Sequence, residues 1–264
     1  ADIAYKTGYL KRHYQNEYMA ALFTSVLDNT AKVVEYKDEC ERLGIPLLPP
    51  DVNESDAGFT PVPNGIRFGL VAIKNIGRSF IELLVKERAA NGPFKSFYDF
   101  VDRMLDKDMN KRAVESLIKC GAFDSLGVNR RRLMNRYESV MSTLAGERKN
   151  NLAGQLSLFG ETLAPKDEDL FHDLPEFSQK ELLAYEKEVA GMYLSGHPMQ
   201  DYKKEVQQVH ATPIAKLMPD EDGGSEFKDG QTVLIAGMIA QVTTKLTKNE
   251  ATMAFLSIED TTGS

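Results

Sequence analysis

Paired carboxylates are the usual apparatus of metal-assisted nucleotidyl transfer, which needs acidic side chains held together on rigid elements. Three pairs have a suitable spacing: Asp106 with Asp108, Asp167 with Asp169, and Asp220 with Asp222. Each falls in a segment whose composition predicts a linker or a loop edge, where carboxylates serve as solvated charge. The histidines His13, His172, His197 and His210 are scattered without an i, i+4 pair, which argues against a metal centre or a catalytic triad. His197 lies between Gly196 and Pro198, where capping or packing is the simpler role. Cys40 and Cys120 have no neighbouring thiol, so they build neither a disulfide framework nor a four-ligand zinc site. They fit buried fillers in a reducing cytoplasm.

A second pattern suits anion binding. Asn75-Ile76-Gly77 forms a predicted turn between two helices, with Lys74 and Arg78 beside it. A turn leading into a helix presents consecutive unpaired N–H groups to a phosphate oxygen without reading a base, and glycine lets the two backbones approach. Lys119-Cys120-Gly121 repeats the arrangement about 45 residues later, with Arg130 and Arg131 following. The competing reading is structural, because packing two helices across a tight turn also calls for glycine.

Charge separates these readings. The net charge of −7 argues against a polyanionic partner, but the average hides an asymmetry. Residues 64–136 hold 15 Lys and Arg against 8 Asp and Glu, a net of +7, whereas residues 161–229 hold 7 against 16, a net of −9. Both turns lie in the one basic block, the expected footprint of a polyanion site.

The elements that must position these turns follow from periodicity. At 264 residues, with 42% hydrophobic and 27% charged, the chain is expected to form about two domains. It contains no apolar run long enough to span a membrane, and no secretory leader is expected at its start. Leu10, Tyr14, Tyr18, Leu22 and Val26 recur every four positions and predict one helix over residues 4–27. A second helix starts at Asn29 or Thr30 and ends at Gly44, ahead of the extended Ile45-Pro46-Leu47-Leu48-Pro49-Pro50. Further helices are predicted on both sides of residues 74–77, over residues 96–104, and over residues 110–119 with Asn110 as N-cap. Residues 146–168 lack helical periodicity and read as a polar linker interrupted by one apolar island, Gln155-Leu156-Ser157-Leu158-Phe159. Such an island is either a short segment packed on the protein or a set of anchors for a partner's pocket, with Leu156, Leu158 and Phe159 buried and Gln155 hydrogen-bonding. Helix resumes over residues 178–193 and restarts near Gln200; an acidic linker, 219–230, leads to strand-like runs at 233–242 and 253–258 joined by a hairpin.

Read in order, Ala4-Tyr5-Lys6-Thr7-Gly8-Tyr9-Leu10-Lys11, Glu17-Tyr18-Met19-Ala20-Ala21-Leu22, Leu48-Pro49-Pro50-Asp51-Val52-Asn53, Ala72-Ile73-Lys74, Gly121-Ala122-Phe123-Asp124 and Tyr193-Leu194-Ser195-Gly196-His197-Pro198 closely resemble the bacterial replicative DNA polymerases of the polymerase III alpha family. The resemblance implies a mainly α fold followed by the start of a β-barrel. Residues 1–55 would be the end of the fingers region and 56–145 a tandem helix-hairpin-helix domain gripping duplex DNA. Residues 146–165 would be a linker whose pentapeptide 155–159 is the sliding-clamp motif, 166–228 a helical connector, and 229–264 an incomplete OB-fold. It implies duplex DNA, the sliding clamp and other replicative holoenzyme subunits as partners, with no membrane. Magnesium is implied for the whole polymerase, with no cofactor in this segment. The palm aspartates and the phosphoesterase-like domain are expected upstream of Ala1, and the clamp-loader-contacting domain beyond Ser264. Two alternatives are a metal-dependent enzyme that cuts or joins DNA through the Asp106 and Asp108 region, and a pure protein-interaction scaffold.

Overall fold

The computed structural model describes residues 2–27, 30–152, 174–218, 226–247 and 252–263. The pentapeptide 155–159, the pairs Asp167/Asp169 and Asp220/Asp222, and His172 lie outside the described residues. The chain is mainly helical, with a few short strands and one long hairpin, and it packs as two units, 1–195 and 196–264.

The first unit begins with α1 (Asp2–His13) and α2 (Gln15–Ser25). The single helix expected over residues 4–27 is broken at Tyr14, whose φ of −136° and ψ of 57° leave the helical region. Only part of the four-residue stripe reaches the core: Leu10 and Tyr14 are exposed, Tyr18, Leu22 and Val26 pack against the core partly buried, and Met19, Ala20 and Phe23 enter it. Helix α3 (Thr30–Leu43) stops at Gly44, whose φ of 71° suits the residue after a last turn. β1 (Leu47–Leu48) then pairs in parallel with β3 (Gly65–Arg67), and β2 (Thr60–Val62) adds to the other edge of β3 in antiparallel register.

A 3-10 turn at Leu70–Ala72 leads through the first hairpin into α4 (Arg78–Asn91). α5 (Phe97–Met104) and α6 (Lys111–Lys119) follow, capped by the Ser96 hydroxyl, which accepts from Asp99 N, and the Asn110 carbonyl, which accepts from Ala113 N. The second hairpin passes a 3-10 turn, Asp124–Leu126, and reaches α7 (Arg130–Leu152). Part of the polar linker expected from residue 146 is thus helix. Leu133, Tyr137, Val140, Met141 and Leu144 form the apolar stripe of α7, and Gly146 meets no neighbouring atom that would exclude a side chain.

Helix α8 (Gln179–Ala190) starts with a capping box between Ser178 and Glu181. Val189, Ala190 and Met192 join the same core as Met19 and Phe23, so the packing runs without interruption from the first helices to the end of α8. Its centre is an aromatic cluster in which the ring of Phe100 lies 5.1 Å from that of Phe94 and 4.8 Å from that of Phe123.

In the second unit His197 caps a 3-10 turn, its Nδ1 accepting from Met199 N, ahead of α9 (Lys203–Gln208). β4 (Met238–Leu246) and β5 (Thr252–Glu259) form an antiparallel ribbon with an irregularity between Ile239 and Gln241. Asp260 ties the ribbon to the residues after α9 by accepting from Ile214 N at 2.8 Å.

Candidate nucleic-acid interface

The first hairpin is offered to solvent. Lys74, Asn75, Gly77, Arg78 and Ser79 are exposed and Ile76 is half-buried. Its tight bend is made by Asn75, at φ 65°, and not by Gly77, whose φ of −72° any residue adopts. A Cβ on Gly77 would meet only the Ser79 hydroxyl, at 3.8 Å. Packing therefore does not require glycine there. The amino end of α4 also lacks a side-chain cap, in contrast to α5, α6 and α8. Its first-turn N–H groups are left to solvent or to a ligand.

Two anchors hold this hairpin in place. Lys74 N donates to Val189 O at 2.9 Å and Lys74 Nζ to Glu188 O at 3.0 Å, so the hairpin is seated on the carboxyl end of α8. Asn75 Nδ2 donates to Ser116 Oγ at 3.2 Å and reaches α6. Between hairpin and helix lies a polar cavity of about 190 Å³ lined by Asn75, Arg112, Ser116, Lys119, Glu115 and Glu188. Arg112 is exposed at its rim. It stands beside the first hairpin although the turn motifs do not include it; its place on the polar side of α6, two residues after the Asn110 cap, was the available signal.

The second hairpin is built differently, and several expected contacts are turned inward. Cys120 is fully buried, its Sγ donates to Leu117 O, and burial pushes its thiol up to about 12. Gly121 does need to be glycine: its φ is 81° and a Cβ would run into the guanidinium of Arg130. Arg130 is itself buried, donating to Asp124 Oδ2 at 2.8 Å and to Glu186 Oε1 at 2.9 Å. Burial opposes its charge, but the two carboxylates outweigh that cost and hold its pKa above the ordinary value. Glu186 is wholly buried and fully used, because its other oxygen accepts from Leu194 N and Ser195 N.

Lys119 follows the same logic. Its side chain is only 12% exposed, pairs with Glu115 at 2.9 Å and Glu188 at 2.8 Å, and lies over the ring of Tyr185. Burial again works against the charge and the carboxylates win, so its pKa is raised. Arg131 is exposed, with its guanidinium 5.6 Å from the ring of Phe177. Of the residues expected to face DNA, Lys119, Cys120, Gly121 and Arg130 have side chains or backbone that hold the second hairpin together. Much of the remaining basic block is also paired internally, with Arg67 on Glu54, Arg88 on Asp56, and Arg103 and Lys107 on Glu87.

The acidic pair Asp106 and Asp108 is not gathered into a donor set. Asp106 pairs with Arg148, which also takes Asp102 at 2.9 Å, and Asp108 occupies the loop before α6 at φ 54°. Among the described residues, no three His, Cys, Asp or Glu side chains are placed to hold a metal ion. No described helix is long and apolar enough to cross a membrane.

The helix-hairpin-helix motif family matches residues 44–133, from Gly44 through the sheet and both hairpins into α7. The DNA polymerase III subunit alpha of Saccharopolyspora erythraea is 39% identical over 268 residues, covering 98% of this chain and 22% of that protein. The corresponding subunit of Neisseria meningitidis serogroup A is 38% identical over 265 residues, covering 100% of this chain and 22% of the relative. The chain belongs to the DNA polymerase III alpha-subunit family. The Thermus aquaticus subunit gives 37% identity over 261 residues, 99% of this chain and 21% of its own length. The chain thus spans about a fifth of the alpha subunits it matches, and both hairpins lie in the helix-hairpin-helix portion of that span.

Proposed function

We propose that this chain is a non-catalytic segment of a replicative DNA polymerase that holds duplex DNA by its phosphate backbone, without reading sequence. The observation that carries this reading is the amino end of α4: uncapped, exposed, flanked by Lys74 and Arg78, and preceded by a glycine that packing does not require. Phosphate oxygens take the free N–H groups of the first turn, Arg78 and Arg112 supply charge from either side, and the bare Cα of Gly77 lets the backbones come close. Lys74 keeps two ammonium protons available beyond the one donated to Glu188 O.

A salt series of duplex binding tests it. Arg78→Ala and Arg112→Ala should each flatten the slope of log K against log salt by about one unit, whereas Lys119→Ala, which removes an internal pair, should leave it unchanged. A slope near zero in the unaltered chain, or a strong preference for one sequence, overturns the proposal.

Two further roles extend it. Gln155-Leu156-Ser157-Leu158-Phe159 serves as an extended peptide for the sliding clamp, supported by its isolation as an apolar pentad and by its likeness to the family's clamp motif. Replacing Leu158 and Phe159 together with alanine should weaken clamp binding by about 30-fold to 1,000-fold, or ~2–4 kcal/mol, with the thermal midpoint unchanged. Calorimetry with the clamp and thermal unfolding of the same variant decide it; unchanged affinity refutes the role. The β4–β5 ribbon serves as the first two strands of an OB-fold, supported by the uncovered apolar side chains Ile239, Val242, Leu246 and Leu256 on one face, which a closed barrel would enclose.

A further inference from the structure

The second unit holds a cleft of about 740 Å³ between α9 and the residues that end the β4–β5 ribbon. Small-molecule sites occupy about 300–1,000 Å³. One wall is a single face of α9 and the turn before it: Gln200, Lys203, Gln207 and His210 follow one another at spacings of three or four residues. His210 closes that wall just past the helix, at φ 51°. The opposite side is fixed by Asp260, whose Oδ2 accepts from Ile214 N at 2.8 Å, while its Oδ1 accepts from Thr262 N and Thr262 Oγ1 at 2.6 Å and from Gly263 N at 3.1 Å. Thr262 Oγ1 in turn accepts from Ala215 N at 3.1 Å. The one carboxylate of the lining is thereby committed to the backbone that shapes the cleft.

The other polar groups of the lining are uncommitted. Among the described residues, the side chains of Gln200, Lys203, Gln207, His210, Thr212 and Thr261 take no hydrogen-bond or ion-pair partner. Lys119 closes on two carboxylates in the first unit, whereas Lys203 closes on none. One unneutralised ammonium therefore shares this space with amide, imidazole and hydroxyl groups, and Met199, Val206 and Pro213 add apolar surface. An ammonium without a counter-ion takes an anion. An inorganic anion alone would leave the apolar surface and most of the volume unused, so the matching ligand carries its charge on a larger body with a flat apolar part and a hydrogen-bonding edge.

We propose that this cleft binds a nucleoside phosphate. Lys203 takes the phosphate, the base lies against Met199, Val206 and Pro213, and Gln207 and His210 hydrogen-bond its edge or the sugar. Both a glutamine amide and an imidazole offer a donor and an acceptor, which suits the mixed edge of a base. The site belongs to the second unit, shares no residue with the hairpins, and does not rest on the reading that the chain holds duplex DNA.

Calorimetry of the full chain with adenosine monophosphate tests it, with adenosine, inorganic phosphate and a single-stranded adenine pentanucleotide as comparison probes. Adenosine monophosphate should bind, and adenosine and phosphate, each lacking one part of the matched chemistry, should bind at least about tenfold more weakly. Lys203→Ala should weaken the nucleotide by about tenfold, and Gln207→Ala and His210→Asn by about threefold to tenfold. Asparagine tolerates the positive φ of residue 210, so that variant removes the imidazole without straining the turn. Lys204→Ala, at the neighbouring exposed lysine outside the lining, should change nothing. Displacement of the nucleotide by the pentanucleotide supports a nucleotide within a strand as the natural ligand, and its failure supports a free nucleotide. No binding of adenosine monophosphate at millimolar concentration, an equal affinity for inorganic phosphate, or an equal loss from Lys204→Ala overturns the proposal. Amide resonances of the unaltered chain give an answer that does not depend on the variants folding: the nucleotide should shift Gln207, His210, Thr212 and Thr261, and shifts confined to other residues overturn the proposal too.

Discussion

Gly77 and Gly121 are chemically identical residues in equivalent turns, and the fold uses them for different reasons. Gly121 is held at a positive φ beneath the guanidinium of Arg130, so an added methyl would strain the backbone and dislodge a buried cation. Gly77 sits at an ordinary φ facing open space. Gly121→Ala should therefore lower stability by about 1–3 kcal/mol, while Gly77→Ala should change it by no more than about 0.5 kcal/mol and still weaken duplex binding. Denaturant unfolding and a DNA titration of the two variants check both halves. The glycine pair is visible in the sequence, but which glycine the packing requires and which faces open space is not. That distinction depends on Arg130 reaching Glu186, 56 residues away, and no local pattern announces such a partner.

Among the elements, local signals and structure agree where one side chain does the work. Asn110 caps α6 as its position predicts, Gly44 ends α3, and His197 takes the capping role its Gly-His-Pro setting suggested. Agreement fails where tertiary contacts decide. The stripe from Leu10 to Val26 is regular, yet Tyr14 interrupts the helix and the core chooses Met19 and Phe23 from a neighbouring face. The apolar positions 133, 137, 140, 141 and 144 carried a helical period that extends α7 through Gly146, but the polar composition around residue 146 masked it. The junction of α4 and α5 offers a test at this scale. Lys107, Asn91 and Arg103 all donate to Glu87, with Lys107 the strongest influence, and its carboxyl falls to about 2 against an ordinary 4.5. A depressed folded pKa stabilises the fold above pH 4.5, and that contribution is lost as pH falls towards 2. Glu87→Gln should accordingly flatten the loss of stability between pH 4.5 and 2, measured as urea midpoints along an acid series; an unchanged pH profile would show that this junction does not contribute.

For the molecule as a whole, charge counting overstated how much of the basic block is free to act outward. The basic block is real, but Arg67, Arg88, Arg103, Lys107, Lys119 and Arg130 close internal pairs. Exposed charge is found instead at Lys74, Arg78 and Arg112, beside the first hairpin. The acidic residues of α8 are part of the reason, since Glu186 and Glu188 lie far along the chain yet neutralise the second hairpin directly. Glu186→Ala would leave Arg130 buried with half its compensation and free the N–H groups of Leu194 and Ser195, and it should cost about 3–5 kcal/mol. Thermal and denaturant unfolding of that variant measure the loss, and a change below about 1 kcal/mol would show that Asp124 alone suffices for Arg130.

The two bonds from Leu194 N and Ser195 N to Glu186 also define where this part of the chain can be cut. A protein ended at Ala190, the last residue of α8, would have every helix of the first unit and yet leave one oxygen of its buried carboxylate without a donor. Five more residues supply both donors at the outermost edge of the core. Limited digestion should stop near Ser195 and leave a resistant product, and expression of 1–195 should yield soluble material where 1–190 precipitates, because the final hydrogen bonds of the unit come from residues beyond its last helix.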